Sequence, residues 1–382
     1  MAAIYIHIPF CKKACHYCNF HFSTTTHYKD ELIAAMLQEI ELQKNYLLTP
    51  IETIYFGGGT PSILSVLELG SILQCLQKHF TLIPNIEITL EANPDDINET
   101  AVQQWHSLGI NRLSIGIQSF VEADLLWMNR AHNVHQAIQS IKLAKQYGIN
   151  NISIDLIYGT PNLTNQQWLT NIETAINLGI QHLSCYALTV EPNTALHTMI
   201  GNQKVAPLDE NKAAEQFEIL MQYAATNGLE HYEISNFATA GYRSKHNSSY
   251  WHGAQYLGIG PSAHSYNGIS RQWNVANNNL YTKALQAKQL PYEIEILTPT
   301  QIANEYIMTA LRLKEGLHLS TLCYKFNTSS TTEKSSDAIE NFVVAKAQKY
   351  IDAKLVLHIN GYLLLTNVGK LRADGIASDL FF

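Results

Sequence analysis

From residue 4 to about residue 189 the chain alternates between two hydrophobic periods. That alternation constrains the fold more than any other feature of its 382 residues. Short β-branched and aromatic runs predict strands at 4–8, 51–59, 87–94, 112–119, 151–161 and 182–189. Between them, apolar residues recur with the 3.6-residue period of an amphipathic helix, as in "YKDELIAAMLQEIELQKNY" (28–46) and "NVHQAIQSIKLAKQYG" (133–148), the latter closed by Gly148. Six strand-then-helix units predict an α/β domain with a parallel sheet and right-handed crossovers, either doubly wound or closed into a full or partial barrel. In each of these architectures chemistry gathers at the carboxyl ends of the strands. The loop of Cys11, Cys15 and Cys18, the run Gly57-Gly58-Gly59, and Glu91, Gln118 and Asp155 are all expected at such ends.

After about residue 235 the texture changes. "SKHNSSYWHGAQYLGIGPSAHSYNG" is rich in glycine, histidine and aromatic residues and reads as loop with short elements. Residues 301–313 read as a helix, 328–337 as a polar low-complexity loop, 338–353 as a helix, and 355–366 as a hairpin turning at Asn360-Gly361, with a last helix running to the terminus. Helix, helix and hairpin suggest a small α+β domain of winged-helix type. The expected organisation is therefore a domain at 1–235, a connecting region at 236–300 and a second domain at 301–382.

A hydrophobic content of 46% is enough for one large core and a smaller one. The net charge of −7 and the lack of a basic run argue against nucleic acid as a partner. The amino terminus shows no basic segment before an apolar one, and no run of about 18 apolar residues occurs. The expected setting is the cytoplasm, where thiols stay reduced. Cys75, Cys185 and Cys323 are scattered and read as buried thiols.

The other three cysteines share one short loop in "YIHIPFCKKACHYCNF" (5–20), with the spacing C-x-x-x-C-x-x-C. An odd number of thiols in a reducing compartment makes disulfides a poor reading. A structural zinc ion needs four protein ligands, and only His16 or His21 stands near enough in sequence to complete the set. The remaining reading is a [4Fe–4S] cluster on Cys11, Cys15 and Cys18, whose fourth iron lacks a protein ligand and asks for one from elsewhere.

This loop, placed just after a first strand, resembles the signature of the radical S-adenosylmethionine (SAM) superfamily. The resemblance implies a partial (β/α)6 barrel, a [4Fe–4S] cluster on the three cysteines, and S-adenosyl-L-methionine ligating the open iron through its amino and carboxylate groups. One electron from the cluster then cleaves the sulfonium to a 5′-deoxyadenosyl radical. "FGGGTP" (56–61) is similar to the family's glycine turn, so Gly58, Gly59 and Thr60 are expected beside the methionyl amine, where the lack of a Cβ permits close approach. Glu91 in "LEANPD" resembles the carboxylate that meets the ribose. Gln118 in "GIQSF", Arg130 in "MNRAH" and Asp155 in "IDLIYGTP" stand at positions similar to other SAM contacts, and Tyr5 resembles a tyrosine near the cluster. Arg130 suits the SAM carboxylate.

Nearly the whole chain resembles the coproporphyrinogen III oxidase-like group of that superfamily. The group contains the oxygen-independent oxidase, an enzyme that decarboxylates two propionates, and the HemW-type heme chaperones. The oxidase has a further cysteine two residues after the third, where this chain has Phe20, and a longer segment before the first strand. "HNSSYW" (246–251) is similar to the H-N-x-x-Y-W motif of the chaperones, and "LTNVGKLRADGIASDLFF" to their carboxyl-terminal signature. The resemblance to the chaperones implies heme as cargo, heme-acceptor proteins as partners, and homodimerisation. Imidazole ligates iron and aromatic rings cover a porphyrin, so His246 is the expected heme ligand, with Tyr250 and Trp251 on the macrocycle. The same six residues also suit a packing element with His246 merely hydrogen-bonded. His264 in "GPSAHSY" is a second candidate ligand, with Cys185 and Cys323 behind it.

Overall fold

Strands buried on both faces must be covered by helices on at least one side, and the first strand is buried at six of its seven positions. The computed structural model describes residues 2–329 and 335–382. Six strands, β1 (Ala2–Ile8), β2 (Ile51–Gly58), β3 (Leu82–Ala92), β4 (Arg112–Gln118), β5 (Asn151–Tyr158) and β6 (His182–Ala187), lie side by side in chain order and pair in parallel. The crossovers carry α1 (Lys29–Leu42), α2 (Val66–His79), α3 (Glu99–Ser107), α4 (Glu122–Trp127), α5 (Val134–Gln146) and α6 (Asn165–Asn177). Local sequence sets their starts. Ser65 with Glu68, Asn133 with Gln136, and Thr164 with Gln167 form reciprocal capping boxes that satisfy the free N–H groups of α2, α5 and α6. Ile4, Phe56, Leu90, Ile115, Ile154 and Leu183 share one core with the inner faces of the helices. This is the expected α/β arrangement.

The sheet does not stop at its sixth strand. After α7 (Ala195–Gly201) and α8 (Glu210–Thr226), β7 (Glu230–Glu233) and β8 (Asn236–Ala238) extend the β6 edge in antiparallel fashion. The chain then crosses through α9 (Lys245–Trp251) to the opposite edge. There β9 (Gln255–Ile259) pairs in parallel with β1, and β10 (His264–Tyr266), β11 (Ser270–Asn274) and β12 (Tyr292–Ile296) follow antiparallel, giving twelve strands. Helix α10 (Asn278–Gln286) joins the last two strands. The stretch read as loop with short elements is thus a second wall of the main sheet. One fully buried carboxylate pins it. Glu39 of α1 accepts from the Gly260 N–H at 2.8 Å, from Asn274 Nδ2 at 2.7 Å, and from the Tyr281 hydroxyl. Burial raises its pKa to about 7 against those three donors.

Residues from Ala303 onward build a separate apolar core that includes Ile307, Leu322, Val343, Val356, Leu363 and Ile376. Its elements are α11 (Pro299–Leu311), β13 (Leu317–His318), α12 (Leu319–Ser329), α13 (Ser336–Asp352), β14 (Val356–Ile359), β15 (Tyr362–Leu365), α14 (Asn367–Lys370) and α15 (Ala373–Asp379), with sheet order β13-β15-β14. This is a winged-helix arrangement. Asn360 and Gly361 both take positive φ, 51° and 78°, as a two-residue hairpin turn requires. Of the polar loop expected at 328–337, residues 330–334 lie outside the described residues, and the helices reach further into it than expected, to Ser329 on one side and from Ser336 on the other.

Candidate functional site

The cysteine loop leaves β1 at the carboxyl edge of the barrel and is closed on itself. Cys11 N–H donates to the Ser23 carbonyl at 3.0 Å, and Ser23 N–H donates to the Pro9 carbonyl at 2.8 Å. The turn after β2 grips its start, with Gly59 N–H on the Ile8 carbonyl at 2.8 Å and Thr60 N–H on the Phe10 carbonyl at 2.7 Å. Gly58 has φ +108°, and a Cβ on Gly59 would stand 2.6 Å from the Phe10 oxygen, so the glycine turn is required by the loop itself. The segment after α4 grips the other side. Asn129 Nδ2 donates to the Ala14 carbonyl at 2.7 Å, and His16 Nδ1 donates to the Trp127 carbonyl at 2.8 Å.

Each thiol has one donor. Thr60 Oγ1 donates to Cys11 Sγ at 3.5 Å and Arg130 Nη1 to Cys15 Sγ at 3.2 Å, while the Phe20 N–H serves Cys18. Burial, then the neighbouring thiols, push Cys11 up to about 11, partly offset by Thr60 and Arg130. Asn93 ties two of these donors together, with Nδ2 on Thr60 Oγ1 at 3.3 Å and Oδ1 accepting from Arg130 Nη2 at 2.8 Å. Cys11, Thr60, Asn93, Arg130 and Cys15 thus form one chain of contacts across four crossovers. The same Nη2 donates to the Gly116 carbonyl at 2.8 Å. Lys12 adds an ion pair with Asp95 at 2.9 Å and another with Asp96.

Deeper in the barrel lie two carboxyl groups. Glu91 Oε1 accepts from the Tyr55 hydroxyl at 2.8 Å, and its pKa rises to about 8 through burial and then through Asp155. Asp155 is raised to about 6 by burial, against Ser184, Arg112 and Ser114. Asp155 does not stand at the end of its strand as expected; it is followed by Leu156, Ile157 and Tyr158 within β5 and faces the barrel interior, because side chains alternate along the strand. Gln118 does end β4, and it does so in the left-handed region, φ 65°, at a break in register. For a buried non-glycine residue this is strain of the kind found at ligand sites. Tyr5 packs on Tyr55, with ring centroids 6.2 Å apart, and its hydroxyl donates to His7 Nδ1 at 3.2 Å.

The donor set fits a cluster with a cationic, carboxylate-bearing ligand. Among the described residues no cysteine is in a disulfide, and no three His, Cys, Asp or Glu side chains converge tightly enough for a single metal ion. His16 Nδ1 is on the Trp127 carbonyl and His21 Nε2 on Asn278 Oδ1 at 2.8 Å, and neither histidine converges with the thiols as a metal site among the described residues. Arg130 Nε is buried without a partner among the described residues, a donor left over beside Cys15. Of the remaining cysteines, Cys185 and Cys323 are buried as expected, and Cys75 is only half-buried.

The motif at 246–251 falls on α9, packed behind β2. His246 is 1% exposed. Its Nδ1 pairs with Thr53 Oγ1 at 2.7 Å, its Nε2 with the Tyr250 hydroxyl at 2.9 Å, and its ring stacks on Tyr55 at 4.8 Å. Both ring nitrogens are in use and the side chain is buried, the hydrogen-bonded packing arrangement that the motif also suited. Tyr250, by contrast, reaches a cavity of about 460 Å³ between the cysteine loop and β9–β10, lined also by Tyr5, Phe20, His21, Tyr256 and His264.

Sequence reasoning passed over Asn93, Tyr17, His7 and Arg112. Asn93 sits in the quoted run "LEANPD", but only its bridge to Arg130 reveals its part. Tyr17 accepts from Arg130. Arg112 is 1% exposed, opens an otherwise apolar strand, and sends its positive field towards Asp155.

Comparisons with known proteins agree with this geometry. The family model of the radical SAM superfamily matches residues 5–184. The chain is similar to "Heme chaperone HemW" of Bacillus subtilis (strain 168), 35% identical, with 98% of each chain covered. It is also similar to "Heme chaperone HemW" of Mycobacterium tuberculosis (strain ATCC 25618 / H37Rv), 32% identical over 99% of this chain and 94% of that one. Among solved structures it resembles coproporphyrinogen III oxidase (HemN) from Escherichia coli, a radical SAM enzyme. That likeness has a TM-score of 0.85 at 20% identity and covers 100% of this chain and 90% of the other, which speaks for the fold.

Proposed function

The chain belongs to the HemW family of the radical SAM superfamily, and from that premise we propose that it is a heme chaperone, which binds heme and passes it to acceptor proteins. The observation that carries this reading is the meeting of two sites at one loop. The braced thiols end at Cys18, and the next three residues, Asn19, Phe20 and His21, line the cavity that Tyr250 also reaches. Cys11, Cys15 and Cys18 would hold a [4Fe–4S] cluster. Tyr5, Gly58, Gly59, Thr60, Glu91, Gln118, Arg130 and Asp155 would hold S-adenosyl-L-methionine, and the two groups together supply one-electron chemistry when bound.

The residues on the page support distinct parts in this. Thr60, Arg130 and the Phe20 N–H donate to the sulfurs and so favour their ionised form. Arg130 Nε is left to meet a carboxylate, and a bound sulfonium near Glu91 and Asp155 would favour the ionised form of both carboxyl groups, whose pKa burial raises. The N–H groups of Gly59 and Thr60 serve the cysteine loop, and the N–H groups of an amine beside Gly58–Thr60 would be met by carbonyl oxygens. Among the described residues no helix is long and apolar enough to cross a membrane, and with six unpaired thiols we assign the cytoplasm.

Phe20, in place of a further cysteine, supports carriage of heme over oxidation of its precursor. The test is anaerobic incubation of the reconstituted protein with dithionite, SAM and coproporphyrinogen III, followed by product analysis. Unchanged coproporphyrinogen is expected. Sustained formation of protoporphyrinogen IX with release of carbon dioxide would replace the chaperone reading with the oxidase one.

A further inference from the structure

We propose that heme seats in the cavity between the cysteine loop and β9–β10, with His264 as its axial ligand and Phe20, Tyr250 and Tyr256 against the porphyrin. The proposal rests on the heme-chaperone reading and assigns it a site.

Three histidines line this cavity, and the structure separates them. His7 accepts from the Tyr5 hydroxyl at 3.2 Å and donates to the His21 carbonyl at 2.9 Å, so both of its nitrogens are spent. His21 has Nε2 on Asn278 at 2.8 Å. His264 is exposed, stacks on Trp273 at 6.2 Å, and makes no hydrogen bond among the described residues. Of the three it is the exposed one with neither ring nitrogen committed among the described residues, whereas His21 keeps only Nδ1. Ligation requires the neutral ring, and burial with the nearby Arg271 charge lowers the His264 pKa.

The walls suit a flat apolar disc. Phe20 lines the cavity and is 66% exposed, so its ring is free to meet a flat ligand there. Tyr250 meets Tyr256 edge-on at 4.6 Å, so the two rings form a fixed corner. A volume of about 460 Å³ lies within the usual range of ligand pockets. Arg271, whose charge reaches His264, is ion-paired through Nη2 with Glu305 at 2.6 Å, and its buried Nε has no partner among the described residues.

This site also gives the motif at 246–251 a part. His246 holds the Tyr250 hydroxyl, and Tyr250 lines the cavity. His246 is a positioning residue, and the motif reaches heme through its tyrosine.

The test is a hemin titration of reconstituted full-length protein, followed by the Soret difference band and by EPR of the ferric iron. His264→Ala is expected to weaken binding about tenfold or more and to shift both signals, and added free imidazole should restore them. Phe20→Ala should weaken binding several-fold without changing the EPR signal. His246→Ala should lower the melting temperature and leave the Soret position in place. If His264→Ala binds hemin with wild-type affinity and spectrum, or if His246→Ala alone moves the band, the site is wrong while heme carriage stands. A wild-type protein that takes up no hemin overturns the heme reading and the site with it.

Discussion

The cysteine loop and helix α9 both carry sequence motifs, and both lean on β2, yet the two motifs do different work. In the loop the motif residues point inward with reactive atoms free and donors behind them, as Thr60 stands behind Cys11 and Arg130 behind Cys15. In α9 the motif histidine has both nitrogens consumed, by Thr53 and Tyr250, and is sealed under Tyr55. A spacing pattern therefore does not tell a ligand from a keystone. What tells them apart is whether the polar atoms have partners already.

Substitution should expose that difference, and the largest effect belongs to the loop. Cys15→Ser is expected to remove the cluster outright, because two thiolates rarely hold a cubane. The wild type should show about four iron and four sulfide per chain, and His246→Ala should keep them. Full iron and sulfide in Cys15→Ser would erase the distinction between the two motifs.

Next comes the cost of removing the keystone. His246→Ala leaves a void and strands the Thr53 and Tyr250 hydroxyls in the interior, so a loss of about 3 kcal/mol is expected by urea unfolding. A change within about 0.5 kcal/mol would show that α9 does not depend on the imidazole.

The brace of the loop should be weaker than its ligands. Asn93→Ala breaks the link between Thr60 and Arg130 and should cost about 1–2 kcal/mol, with faster loss of cluster iron to a chelator. Iron loss at the wild-type rate would reduce Asn93 to a local contact.

The smallest effect is a pH dependence. Glu91 has a folded pKa near 8 against an ordinary value of 4.5, so the folded chain keeps a proton that the unfolded chain has lost. Its contribution to stability therefore falls as pH rises from about 4.5 to about 8. Glu91→Gln should flatten that slope in ligand-free protein. An identical slope would place the proton elsewhere.

The barrel and the cysteine site were legible because their signals are local. Strand and helix periods repeat within a dozen residues, and the three thiols sit on one loop. The second wall of the sheet was not legible. Its strand "QYLGI" is short, contains a glycine, and pairs with β1 some 250 residues away. The same distance hid the state of His246, whose partners Thr53 and Tyr55 belong to β2. Asp155 was placed at a strand end although it lies mid-strand, because the residue type suggested a site position while the pairing of β5 continues past it to Tyr158. Phe20 was visible as a departure from the oxidase pattern. That it lines a cavity with His264 depends on β10 folding back beside the cysteine loop.

The central claim is that one chain holds a cluster site and a separate heme site on neighbouring residues of the same loop. The most direct measurement is a hemin titration of anaerobically reconstituted wild-type protein, with iron, sulfide and bound heme counted on the same sample. The account predicts saturation near one heme per chain with the cluster iron and sulfide unchanged. Heme uptake that displaces the cluster, or no saturable uptake at all, would contradict it.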